Sequence, residues 1–323
     1  MGTIGSSPID SHLTRLAIQR GVSQSFVYPM IPAIAHSSED GVYESWDAGL
    51  WTGDNSAPDS EEGIRPVDGT YESFSFGVTP VTFQMAEYYA SIKFDWRESH
   101  NSVGMRIFEK ALGGVGMRHS INRERALHSV MFGTGNWTNV VVGAANRFDN
   151  ASSNPPGYIR QRWSAIELSA AATAGGARRV IVMTAGIFDQ LAQHPVYTSI
   201  NANSEVTGYA THATIAASFG VLPADLIVAR AAYNEQRRNE TAAYARIWSE
   251  NYIWMGYMPT NVNDSTQTAL AFIHMNGYGP GSVVRRGTFV NEQAEGRFMR
   301  ELSIGVYQPV DTAAAALLTS VIS

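Results

Sequence analysis

From Thr52 to Gly63 the chain offers a folded core almost nothing to bury, because the run is built from Thr, Gly, Asp, Asn, Ser, Ala, Pro and Glu. Trp46, Leu50 and Trp51 stand before it. Tyr71, Phe74, Phe76, Val78, Val81 and Phe83 follow it with the spacing of a strand. A loop of this length inside a compact domain is uncommon, and long loops tend to carry function. Two aromatic-bearing arms around a polar tip predict a long hairpin that leaves the body. The alternative is a surface loop folded back over its own domain.

The charge pattern limits the partners. Only 16% of the 323 residues are charged, against the usual ~25%, as expected if other protein covers much of the surface. Of 23 basic residues only Lys93 and Lys110 are lysines, and the other 21 are arginines. Arginine suits fixed, bidentate contacts at protein interfaces, although a compositional bias toward arginine would give the same count. The net charge of −6 argues against an electrostatic nucleic-acid binder. With no cysteine there is no disulfide scaffold, thiol nucleophile or Cys-ligated metal. No run approaches the ~18–20 apolar residues of a membrane span. The Gly/Ser-rich start, Met1–Asp10, does not read as a signal peptide, so synthesis in the cytosol without export is expected.

Along the chain, Ser11 can cap a short helix holding Leu13, Leu16, Ala17 and Ile18 and ending at Gly21. Pro29 and Pro32 predict extended chain over 26–34. Residues 99–132 form the longest helical pattern, and Gly113, Gly114 and Gly116 predict a kink or break in its middle. A turn at 152–157 precedes a helix over 158–174. Val180–Met183 and Leu226–Ala229 read as short buried strands, with helices over 185–193 and 207–219. Further strands are expected over 247–258 and 268–274. Phe289 to Tyr307 reads as a long edge strand, and 311–323 as a small apolar tail. The class is α+β.

Catalytic signatures are missing from the sequence. The eight histidines form no helical metal pair, and the glycine clusters at 113–116 and 277–281 lack the context of a dinucleotide or phosphate loop. There is no Gly-x-Ser-x-Gly elbow. Asp59, Glu61 and Glu62 cluster on the polar loop. Glu292, Glu295 and Glu301 lie near Arg297 and Arg300, as in ion-pair ladders. The doublets Arg123/Arg125, Arg178–Arg179, Arg237–Arg238 and Arg285–Arg286 are expected to form salt bridges at interfaces. His194, before Pro195, reads as a helix-end residue. No catalytic residue, metal or cofactor is expected.

The order of segments resembles the major capsid proteins of tailed bacteriophages, the Hong Kong 97-like fold, over about residues 26–307. The resemblance rests on the helix ending Arg123-Glu124-Arg125-Ala126-Leu127-His128-Ser129-Val130-Met131-Phe132, then Gly135-Asn136-Trp137. The Phe-Asp-x-x-Ser-x-x-Pro turn at 148–155 and Val180-Ile181-Val182-Met183 follow. Next come the Leu-x-x-His-Pro helix end at 191–195, Ala216–Val221 and Ile227-Val228. It implies an N-terminal arm over 1–36 and an extended loop (E-loop) over 37–92. It also implies a peripheral domain with a spine helix over 93–177 and 291–323, and an axial domain over 178–290.

The function so implied is structural: self-assembly, through pentamers and hexamers, into an icosahedral shell around phage double-stranded DNA. Scaffolding, portal and decoration proteins would be partners, and contact with the DNA would be loose. The location would be the virion, after assembly in the host cytoplasm. Candidate inter-subunit contacts are Trp46, Trp51, Tyr71, Phe74, Arg237, Arg238, Arg285 and Arg297. The loop tip has no lysine for the covalent crosslinks some relatives make, so non-covalent stabilisation is expected. No charged coiled-coil extension is present, which implies a separate scaffold or a removed prosegment. The other readings are an encapsulin-like nanocompartment subunit of the same fold and a cytosolic α+β enzyme.

Overall fold

The computed structural model describes residues 26–46, 78–94, 102–169, 177–201, 209–234, 243–260, 268–279, 284–285 and 297–323. The helix expected after Ser11 and the Thr52–Gly63 tip lie outside these residues.

The described chain opens with a 3₁₀ turn, Tyr28–Met30, where extended chain was expected. Pro29 sits at its start, where the missing N–H costs nothing. Strand β1 (Ala33–His36) follows, then β2 (Asp40–Trp46), β3 (Val78–Gln84) and β4 (Ala86–Phe94). Helix α1 (Ser102–Met131) runs unbroken for 30 residues. Its glycines do not interrupt it, because packing against β4 and the later β13 outweighs their roughly 1 kcal/mol propensity cost apiece. Next come β5 (Thr138–Val141), α2 (Pro155–Ser169), β6 (Ala177–Thr184), α3 (Ala185–Gln193), α4 (Pro195–Asn201) and α5 (His212–Phe219). Asn154 opens α2: its Oδ1 accepts from Gly157 N at 3.2 Å just ahead of the Pro155-Pro156 pair. Helix α5 starts later than its apolar pattern, at the Thr211 cap, and stops at Gly220, whose φ of 73° suits glycine.

The remaining strands are β7 (Leu226–Ala229), β8 (Ala232–Asn234), β9 (Tyr244–Arg246), β10 (Ile253–Pro259), β11 (Leu270–Met275), β12 (Val284–Arg285), β13 (Arg297–Pro309) and β14 (Ala315–Thr319). Strands β8 and β9 form a small antiparallel pair of their own. One sheet runs β1-β11-β13-β12, with β4 also paired to β13. The second runs β5-β14-β10-β6-β7. One expectation fails here. Strand β13 is not an edge: Arg300 and Glu301 pair with β4 and with β12. The small apolar C-terminal tail supplies β14, which is buried throughout and lies between β5 and β10. Small apolar residues (Ala315, Ala316) fit that slot because both faces are covered.

Gly305 marks the tightest point of the first sheet, paired with Ala86 on β4 and His274 on β11. A Cβ there would lie 2.4 Å from Phe272 Cζ and 2.6 Å from the Ile273 carbonyl oxygen. The carbonyl belongs to the ladder and cannot swing away. Gly305→Ala is therefore expected to destabilise by about 1–3 kcal/mol through overpacking, read as a lowered thermal midpoint.

Candidate assembly interface

The hairpin begins as expected. Strands β2 and β3 pair antiparallel in register from Asp40↔Gln84 to Trp46↔Val78, and Met85 N–H donates to the Glu39 carbonyl at 2.8 Å to close its base. The chain that joins the two arms, residues 47–77, contains the polar tip. His36 meets Phe83 edge-on at 5.0 Å at the root of the hairpin.

A buried charged junction on α1 ties the N-terminal segment ahead of this root to the body. Residues 115, 116, 119, 120, 123, 124, 127 and 131 are the helix's buried positions among the described side chains. They include Arg123 (2% exposed) and Glu124 (0%). Glu124 Oε1 accepts from Val27 N at 2.9 Å and from Trp248 Nε1 at 2.7 Å. Its Oε2 accepts from Val27 N and Tyr28 N, each at 3.0 Å. One carboxylate thus pins the entering N-terminal segment to the helix and to the segment ahead of β10. Burial pushes the Glu124 carboxyl up to about 7, against the three N–H donors and the Arg123 charge, which pull it down. Arg123 lies between the rings of Tyr28 (4.4 Å) and Phe272 (4.5 Å). Its Nε and Nη2 find no hydrogen-bond partner, so the two π-faces supply much of its solvation.

A second cluster imitates a catalytic array. His119 Nε2 lies 3.0 Å from Ser303 Oγ, and His119 Nδ1 lies 3.3 Å from Glu301 Oε1. This is the connectivity of a nucleophile, base and orienting acid. Ser303 is 1% exposed and His119 4%, so no substrate carbonyl can reach the hydroxyl. The cluster fastens α1 to β13. Glu301 reaches His119 from β13.

The expected site residues fare unevenly. Trp46 ends β2 opposite Val78, Arg285 lies on β12 opposite Arg300, and Arg297 opens β13 opposite Phe94. Trp51, Tyr71, Phe74, Arg237 and Arg238 lie outside the described residues. Arg178 and Arg179 make pairs within the chain. Arg178 Nη1 reaches Asp225 Oδ1 at 2.5 Å, and Arg179 bonds Glu167, which also accepts from Tyr257 Oη at 2.8 Å. The hydrogen bond from Arg179 holds the Glu167 carboxyl below the usual range. His194 is a helix-end residue as expected. Its Nε2 lies 3.0 Å from the Asn150 carbonyl, and its Nδ1 accepts from Val196 N at 3.2 Å. The large apolar residues left exposed include Leu168 (84%), Tyr244 (77%), Tyr209, Leu222 and Val141. Among the described residues no group of three or more His, Asp or Glu side chains could hold a metal ion, and no helix is long and apolar enough to cross a membrane.

The sequence reading assigns Arg123 and Arg125 to salt bridges at interfaces and misses the junction. Stepping back from Leu127 by three, four and seven residues puts Glu124, Arg123 and Ser120 on the buried face, and that spacing was readable.

No family model and no curated protein matches the sequence. Solved structures do resemble the fold. A phage-related protein from Bordetella bronchiseptica superposes with a TM-score of 0.68 at 13% identity, covering 98% of both chains. A capsid structure of the cyanophage P-SCSP1u gives 0.54 at 10% identity, over 92% of this chain and 88% of that one. A virus-like particle from Pyrococcus furiosus gives 0.53 at 9%, over 95% and 97%. At such identities the likeness is one of fold: the chain is α+β with the Hong Kong 97-like architecture of phage capsid proteins.

Proposed function

We propose that this chain is a structural major capsid protein, not an enzyme, whose copies self-assemble through pentamers and hexamers into an icosahedral shell around phage double-stranded DNA. The observation that carries this reading is the fold shared over nearly the full length of chains from a phage-related protein and a cyanophage capsid. The paired roots of the hairpin and the low charge content support it. In this reading residues 1–36 are the N-terminal arm and 37–92 the extended loop. Residues 93–177 and 291–323 form the peripheral domain around α1, and 178–290 the axial domain, with β14 crossing into the second sheet. Scaffolding, portal and decoration proteins are its further partners, and its place is the virion after assembly in the host cytoplasm. With a net charge of −6 per copy the inner wall holds DNA loosely, and confinement comes from the shell itself.

Electron microscopy of the purified protein tests the reading. Closed shells tens of nanometres across that hold nuclease-protected DNA are expected. Shells holding a protein cargo would point to a nanocompartment, and a monomer that never assembles would overturn the shell reading. The arms of the hairpin give a finer test. Trp46→Ala or Trp51→Ala is expected to cut particle yield severely, since truncating a hot-spot aromatic costs about 2 kcal/mol or more, some thirtyfold, at each contact. The melting temperature of the unassembled chain should move by no more than about 2 °C. Equal loss of folding and assembly would refute the reaching loop.

A further inference from the structure

Strand β7 ends the second sheet, and among the described residues nothing pairs with its outer edge. A groove of about 410 Å³ runs beside it, lined by Leu226, Ile227, Val228, Phe188, His212 and, from the N-terminal segment, Phe26 and Met30. Successive strand side chains point to opposite faces, so three consecutive residues line one cavity only along the strand's edge. The groove therefore offers largely apolar walls, with Arg230 as a charged member, beside an edge that no further strand covers among the described residues; the Leu226 carbonyl already meets His212 Nε2 at 2.8 Å. An open apolar edge of this kind is an aggregation hazard that folded proteins cover.

What could cover it is indicated by where the described chain starts. Phe26 is itself part of the groove wall, and the next two residues are clamped by Glu124 through the Val27 and Tyr28 N–H groups. The N-terminal segment is therefore joined to the chain at the groove wall. That preceding stretch carries Met1, Ile4, Ile9, Leu13, Leu16, Ala17, Ile18 and Val22 among polar residues, and Leu13, Leu16, Ala17 and Ile18 are its densest apolar group. Nine residues lie between Leu16 and Phe26, and the ten steps span at most about 36 Å when extended, enough to turn back along β7 or to cross to a neighbour.

We propose that the groove beside β7 is the seat of this chain's own N-terminal segment, with Leu13, Leu16 and Ile18 supplying the apolar contacts. The inference does not need the shell reading, because a single chain can fill its own groove. In a shell, a segment exchanged between copies would instead link them.

The cysteine-free chain makes the test clean. Leu13→Cys, Leu16→Cys and Ile18→Cys are each combined with Ile227→Cys in the full chain and oxidised mildly. At least one pair is expected to form a disulfide about tenfold faster than the same cysteine paired with Leu168→Cys, which stands exposed and outside the groove. Mobility on a denaturing gel shows whether the bond lies within one copy or between two, and either supports the seat. No pair exceeding its control would overturn it. A second measurement avoids engineered thiols. Trypsin should cut after Arg15 and Arg20 about tenfold faster in Ile227→Asp than in the parent chain, with the melting temperature of the variant checked alongside. Equal cutting rates in two folded proteins would also overturn the proposal. Particle formation, scored separately by microscopy, keeps its failure distinct from failure of the shell reading.

Discussion

Glu124→Ala is expected to cost about 3–5 kcal/mol of folding stability, seen as a lower urea midpoint in tryptophan emission. The substitution leaves the Val27 and Tyr28 N–H groups and Trp248 Nε1 without their acceptor and leaves Arg123 buried without its neighbouring countercharge. The parent chain should also show a pH dependence with a definite sign. Burial raises the Glu124 carboxyl from its ordinary 4.5 to about 7, so the folded state binds a proton more tightly than the unfolded state. The resulting stability is fully present below about pH 4.5 and is lost as pH rises through 7. From the size of the shift, the loss is about 3 kcal/mol. Glu124→Gln, which cannot ionise, should lack this component. Stability curves of the two proteins that run parallel between pH 5 and 8 would show that Glu124 is not the titrating group. Loss of this clamp should release the N-terminal segment first, because two of its four hydrogen bonds come from Val27 and a third from Tyr28.

Phe272→Ala should be comparably severe, at about 3–5 kcal/mol. The ring is fully buried, lies 4.7 Å from Tyr307, and forms one of the two faces against Arg123. Phe272→Leu restores most of the volume but not the π-face. The part of its cost that vanishes in an Arg123→Met background measures the cation–π contribution, about 0.5–2 kcal/mol for a desolvated pair. An unchanged cost in that background would mean that the ring acts by volume alone. Urea titrations of the four proteins in that cycle give the answer.

Much of this molecule is legible from its residues because its signals are local. Ala185–Gln193 and Leu226–Ala229 have the boundaries their apolar runs imply. The antiparallel arms at 40–46 and 78–84 lie where aromatic residues flank a polar run. Alternation and helical spacing are properties of neighbouring residues, and a chain reports them without a partner. The same local logic misjudges β13, whose alternating charges look like an edge although the strand is paired on both sides.

The sequence by itself determined the α+β class, the long helix, the hairpin roots and a chain with no cysteine chemistry. Helical spacing puts Arg123 and Glu124 on the inner face of α1, but only the packed fold settled what meets them there. Arg123 and Glu124 are adjacent residues on a helix, and nothing beside them in sequence shows that Tyr28, Trp248 and Phe272 will close around them. It likewise decided that the small-residue tail becomes a buried strand between β5 and β10. Burial depends on contacts between residues far apart in the chain, so it becomes visible only when the sheets meet.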